Sequence, residues 1–363
     1  MKKSVRVVIT VLVVLCFLAP LAFAGGAQEE QEQGMKTEEK AEEAEVQTME
    51  PLDIAVFVPG VVAGSPLYEQ LVSGTERAAG EYDHVTVKVV EGGFNQAEWG
   101  EKLTSLAATM EYEFILTSNP AMPFVAMEVM EAFTDQKFIN MDAYMEGNPQ
   151  MYTVMYNQVE QAYFMGYLGG LVTTSDMEGA NDDLKVGMIV AQEYPALLKM
   201  MRPGYQLGFE AIDPGITVDY RVIGNWYDAN KAADLANSMF NAGVDVILTI
   251  AGGANQGTIK AAQERNKYVL YFDAEEYDIA PGTIVGCAVL NQDKATYETV
   301  KRAIEGDIPW GTADVFDTED GYVDFADDSP IYEESVPESI REKMSVVVEK
   351  MRSGELSFPV PEF

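Results

Sequence analysis

The chain has 363 residues, with 59 Asp and Glu against 24 Lys and Arg, a formal charge of −35, one His and two Cys. An apolar content of 47% suffices for a buried core and argues against wholesale disorder. The negative charge disfavours nucleic acid, whose phosphates need clustered Lys and Arg. His84, Cys16 and Cys287 leave almost nothing for a zinc site, a Cys–His nucleophile or a Ser-His-Asp triad. No catalytic residue, metal or cofactor is expected.

Residues 1–24 read as a secretory signal peptide: Lys2, Lys3 and Arg6 precede an apolar stretch from Val7 to Phe23 that closes on Ala22-Phe23-Ala24. Cleavage after Ala24 is favoured. Lipidation at Cys16 is the alternative, weakened by the bulky Leu15 before it, and a retained anchor is weaker still because Pro20 interrupts a short run. Residues 25–50 hold nine Glu, two Lys and no aromatic residue, the composition of a disordered, self-repelling linker.

From Leu52 onward, short apolar runs alternate with amphipathic stretches, the rhythm of strand, helix and parallel strand. The first half offers strands at Ile54–Val58, Val85–Val90, Phe114–Thr117 and Phe138–Met141; the second at Val186–Val190, Thr217–Val222, Val246–Thr249 and Val269–Phe272. Helices are predicted over Gly74–Tyr82, Gln96–Met110, Pro203–Ile212 and Asn230–Ala242. The two sets superimpose. Val56 and Met188, Leu103 and Leu235, and Glu113 and Asp245 are each 132 residues apart, while Asp142 and Asp273 are 131 apart. A near-constant offset over four elements implies an α/β protein of two pseudo-symmetric three-layer lobes with parallel sheets.

Ligands of such sheets bind beyond the carboxyl ends of the strands, and facing lobes create a cleft there. Asp142 and Asp273 close equivalent strands in that position, where a carboxylate can accept hydrogen bonds from ligand hydroxyl or N–H groups; helix capping is the competing role. Tyr68 and Trp226 fall in cleft loops and suit stacking on a planar heterocycle, with rim packing as the plainer reading. Asn119 lies in the loop after the third strand. Gly252 and Gly253 open a helix whose N–H groups can receive an acceptor atom. The cleft loops contain no Lys or Arg, which favours a neutral or cationic ligand. Neither a dinucleotide fingerprint nor a phosphate-loop lysine is present.

Tyr156-Asn157-Gln158-Val159-Glu160-Gln161-Ala162-Tyr163-Phe164-Met165-Gly166, Lys185 to Ile189, Tyr227 to Lys231, Gly243 to Ile247, Ala251-Gly252-Gly253 followed by Gly257, and Ser353 to Pro359 occur in an order and spacing that resembles the basic membrane protein family of solute-binding proteins. That family includes purine nucleoside receptors and riboflavin-binding lipoproteins. The resemblance covers essentially 52–358 and implies a type I periplasmic-binding-protein fold, whose lobes close on a ligand and deliver it to an ABC permease. It places Tyr68-Glu69-Gln70 on the segment that carries the stacking ring, and Asp142 and Asp273 near the family's ligand-binding aspartates. Three positions depart from the nucleoside receptors. Pro59 stands where the first strand usually ends in Asp, Val61 to Leu67 lacks a second Asp, and Leu290 replaces a lysine. On these departures riboflavin is favoured slightly over a purine nucleoside.

The expectation is therefore a non-enzymatic, exported substrate-binding protein for a neutral heterocycle, periplasmic or held on the outer side of the cytoplasmic membrane. An ABC permease is its expected partner, and nucleic acid is not. Lobe 1 is expected to comprise 51–160 plus about 280–308, and lobe 2 to comprise 161–279 plus about 309–358. The rivals are an exported nucleoside hydrolase and a sensory or adhesive binding lobe.

Overall fold

The structure, a computed structural model, describes residues 49–362. The expected signal peptide, and all of the expected linker before residue 49, lie outside the described residues. In the first half, β1 (Leu52–Val58), α1 (Pro66–Ala79), β2 (Val85–Glu91), α2 (Trp99–Ala107), β3 (Phe114–Ser118), α3 (Met122–Ala132), β4 (Lys137–Met141) and β5 (Met151–Tyr156) follow one another. After α4 (Gln158–Thr173) the pattern repeats as β6 (Lys185–Val190), α5 (Arg202–Glu210), β7 (Thr217–Val222), α6 (Ala229–Asn241), β8 (Val246–Ile250), α7 (Asn255–Glu264), β9 (Tyr268–Asp273) and β10 (Ile284–Leu290). The chain ends with α8 (Gln292–Ile304), β11 (Ala313–Phe316), β12 (Val323–Phe325), α9 (Pro330–Ser335) and α10 (Glu338–Arg352).

Two six-stranded sheets result, ordered β11-β5-β4-β3-β1-β2 and β12-β10-β9-β8-β6-β7. Each strand of one has its counterpart in the other, and only the β10–β12 pair is antiparallel. The central strands β3, β5 and β8 are buried along their whole length, as parallel strands covered on both faces must be. The edge strands β2 and β7 are partly exposed. Among the described residues no helix is long and apolar enough to cross a membrane.

The lobe boundaries differ from expectation. β10 belongs to the second sheet and β11 to the first, so the chain crosses after 290 and after 316 rather than near 280 and 308. The reason is pairing: β10 adds to β9, and β11 adds to β5, before the chain returns to the second sheet through β12. Asparagines mark equivalent crossovers. Asn157 N–H donates to Phe316 O at 2.7 Å, and Asn291 N–H donates to Tyr322 O at 2.8 Å.

Helix α4 is buried on nearly every side. It packs on α5 at backbone distance, since a Cβ on Gly208 would lie 2.4 Å from Tyr163 O and one on Gly166 would lie 2.0 Å from Tyr205 O.

Candidate functional site

The first lobe brings Tyr68, Asn119 and Asp142 together from the segments that follow β1, β3 and β4. Asp142 follows β4 with φ 66°, and Asn119 follows β3 with φ 141°, backbone regions that cost a non-glycine residue energy and cluster at functional sites. Tyr68 lies in the first turn of α1. Its hydroxyl donates to Pro59 O at 3.3 Å and bonds with the Asn119 side chain. Burial, together with the nearby Asp142 charge, pushes the Tyr68 hydroxyl up to about 12.

The second lobe repeats the device. Asp273 ends β9 with φ 79°, and its Oδ1 accepts from Gln161 Nε2 at 3.1 Å. Burial raises its carboxyl to about 6 against the opposing effect of that bond. Asp142 is driven well above the ordinary carboxylate range, by burial first and then by the charge of Asp273. The repulsion within the pair therefore falls on Asp142, which has no donor to offset it, whereas Gln161 supports Asp273. Among the described residues no cation acts on either group. Both keep part of their surface open to water. Neither caps a helix: β5 follows Asp142, and Glu276 starts the short turn Tyr277–Ile279 after Asp273.

Aromatic residues surround the pair. Tyr156 is fully buried at the end of β5, and its hydroxyl donates to Gln292 Oε1 at 3.5 Å. Burial raises Tyr156 and Tyr194, and both feel the two aspartates. Tyr194 lies 6.2 Å, ring to ring, from Trp226, linking the aspartates to a second cluster. There Trp226 Nε1 donates to Gln192 Oε1 at 3.3 Å, and its carbonyl receives Ala254 N–H. Gly252 has φ 54°, and a Cβ there would lie 3.5 Å from the Trp226 ring, while Gly253 lies against the Trp226 carbonyl.

Two predicted residues point elsewhere. Glu69 Oε1 accepts from Gly64 N–H at 2.8 Å, closing its own loop, and Gln70 Oε1 accepts from Asp293 N–H at the start of α8. Gln70 borders a cavity of about 520 Å³ with Glu275, Asn291, Asp324, Asp327 and Arg352, which neither aspartate lines. Arg352 is already engaged there by Asp324 and Asp327, each at 2.9 Å.

Sequence reading missed Tyr156, Gln161 and Tyr194 as neighbours of the aspartates. Tyr194 falls in a loop, Ala191–Pro195, that the duplication itself assigns to the cleft; Gln161 sits in a helix without an amphipathic face, so no periodicity singles it out.

The family model for PnrA-like ABC transporter substrate-binding proteins matches residues 52–357. The chain is 20% identical over 281 residues to the CD4+ T-cell-stimulating antigen of Listeria monocytogenes, spanning 73% of this chain and 75% of that protein. It is 22% identical over 209 residues to the ABC transporter nucleoside-binding protein BmpA of Lactococcus lactis subsp. cremoris, spanning 53% and 57%. A solute-binding protein of an ABC transporter system from Aeropyrum pernix K1 shares the fold at TM-score 0.73 and 19% identity, covering 86% of this chain and 94% of that one. Its fold is thus that of the type I periplasmic binding proteins, and the chain belongs to the family of PnrA-like ABC transporter substrate-binding proteins.

Proposed function

We propose that the protein captures a neutral, donor-rich heterocycle, a purine nucleoside, between its lobes and presents it to an ABC permease outside the cytoplasmic membrane. One observation carries the reading: Asp142 and Asp273, from equivalent strand ends of the two lobes, come close enough for the charge of one to act on the other, among aromatic rings and with no cation among the described residues acting on either. Such a pair repels itself when empty and is relieved by a ligand that offers N–H or O–H donors to both carboxyls. The ligand then bridges the lobes and shifts the population toward the closed form. Tyr68 supplies the stacking face, and the nucleoside-binding relative fits the same chemistry.

Riboflavin is the second reading. It is favoured by the first loop, where Pro59 to Pro66 departs from the nucleoside receptors and brings no carboxylate to the site. Acid release from protein purified under native conditions, followed by absorbance and mass measurement, distinguishes the two. A purine nucleoside supports the first reading; a flavin at near-stoichiometric amount replaces it with the second. A phosphorylated or anionic solute would contradict both.

A further inference from the structure

Gln161 stands in the first turns of α4 with its side chain fully buried. Its Nε2 carries two hydrogens, one donated to Ala288 O at 3.2 Å and the other to Asp273 Oδ1 at 3.1 Å. A backbone carbonyl only accepts, so Ala288 holds the amide with its nitrogen toward Asp273. A flipped amide would set Oε1 against that carbonyl. Oε1 itself is buried without a hydrogen-bond partner, a cost that folded proteins ordinarily avoid. The donor is thus retained where an apolar side chain of equal size would fill the helix without that cost.

The duplication supplies an internal comparison. Asn157-Gln158 and Asn291-Gln292 stand at equivalent crossovers into α4 and α8, 134 residues apart. On that offset the counterpart of Gln161 is Ala295, buried in the first lobe, which has nothing to donate to Asp142.

We infer that Gln161 is a positioning residue that makes the duplicated aspartates unequal, orienting Asp273 as the hydrogen-bond acceptor of the second lobe while Asp142 stands without such a donor in the first. The ligand so selected presents an N–H or O–H donor to the second lobe. The role rests on the ligand site proposed above. Besides Asp142, the titratable groups that feel Asp273 are Tyr156, Tyr194 and Tyr271, all kept neutral by burial.

Gln161→Met keeps the volume and removes the donor, and Gln161→Leu serves as a second variant. The Asp273 carboxyl is titrated in ligand-free protein by carbon-13 NMR of labelled aspartate, with Asp273→Asn assigning the signal. Its midpoint is expected to move upward in either variant, and inosine affinity at pH 7 to fall roughly tenfold. An unchanged Asp273 midpoint in a folded variant overturns the role of Gln161, whatever inosine does. Failure of the unmodified protein to bind inosine or riboflavin overturns the ligand site instead, and the carboxyl titration still decides the role of Gln161.

Discussion

The ring of Tyr68 lies so close to Gly60 that a Cβ on Gly60 would stand 2.9 Å from Tyr68 Cε2. The turn after β1 thus sets the position of the ring, and only glycine lets the backbone approach it. Tyr68→Ala is expected to weaken nucleoside binding by at least about 1 kcal/mol, the stacking contribution beyond area burial. Gly60→Ala should produce part of the same loss by displacing the ring. Titration calorimetry checks both, and unchanged affinity in Tyr68→Ala removes the ring from the site.

The aspartate pair makes the empty protein less stable at neutral pH than it would otherwise be. The folded state raises Asp273 to about 6, above an unfolded value near 3.9, and raises Asp142 in the same direction. Folded protein therefore binds more protons in this window. The stability that Asp273 confers in this way is complete below about 4 and is lost as pH rises through about 6, and Asp142 acts in the same direction. Asp273→Asn is expected to melt higher than the unmodified protein at pH 7 without ligand, by on the order of 1 kcal/mol. The difference should shrink by pH 4.5. Equal pH dependence of the two melting curves would show that the carboxyl is not strained by its site.

Glu160 ties the third crossover to the C-terminal segment. Its Oε2 accepts from Thr318 N–H at 3.0 Å and its Oε1 from Phe358 N–H at 3.3 Å, while Asn157 Nδ2 donates to Phe358 O at 2.8 Å. Glu160 is 2% exposed, so Glu160→Ala strands two N–H groups and should cost about 2–3 kcal/mol in a denaturant melt. A loss below the error of the melt would mean that water replaces the carboxylate.

The α4–α5 contact is set by backbone approach rather than side-chain packing. Gly208→Ala places a methyl 2.4 Å from Tyr163 O and is expected to destabilise the second lobe by about 1–3 kcal/mol. Because α4 also carries Gln161, the same substitution should weaken ligand binding. Thermal melts and titration on one preparation read both effects.

The positions of β1 to β4 and β6 to β9 are legible because covered parallel strands are short continuous apolar runs, as in Val246–Ile250, and the repeat pairs each with its counterpart. Helix α4 is not, since a helix buried all round has no polar face to generate a period. β5 and β10, which carry the crossovers, are absent from the strands read in the sequence, and β11 and β12, of four and three residues, are too short to announce themselves, so the chain crosses after 290 and 316 rather than near 280 and 308. Asp142 and Asp273 are visible through the offset, their place at equivalent strand ends and the family resemblance. What no spacing shows is the unequal support they receive, which depends on where the Ala288 carbonyl points.

The central claim is that one ligand is held by both aspartates at once. Its most direct test is calorimetric titration of inosine into the unmodified protein, Asp142→Asn, Asp273→Asn and the double variant. One saturable site is expected in the unmodified protein, with weakening in each single variant and no measurable binding in the double variant. Binding of inosine to the double variant as tight as to the unmodified protein would contradict the account.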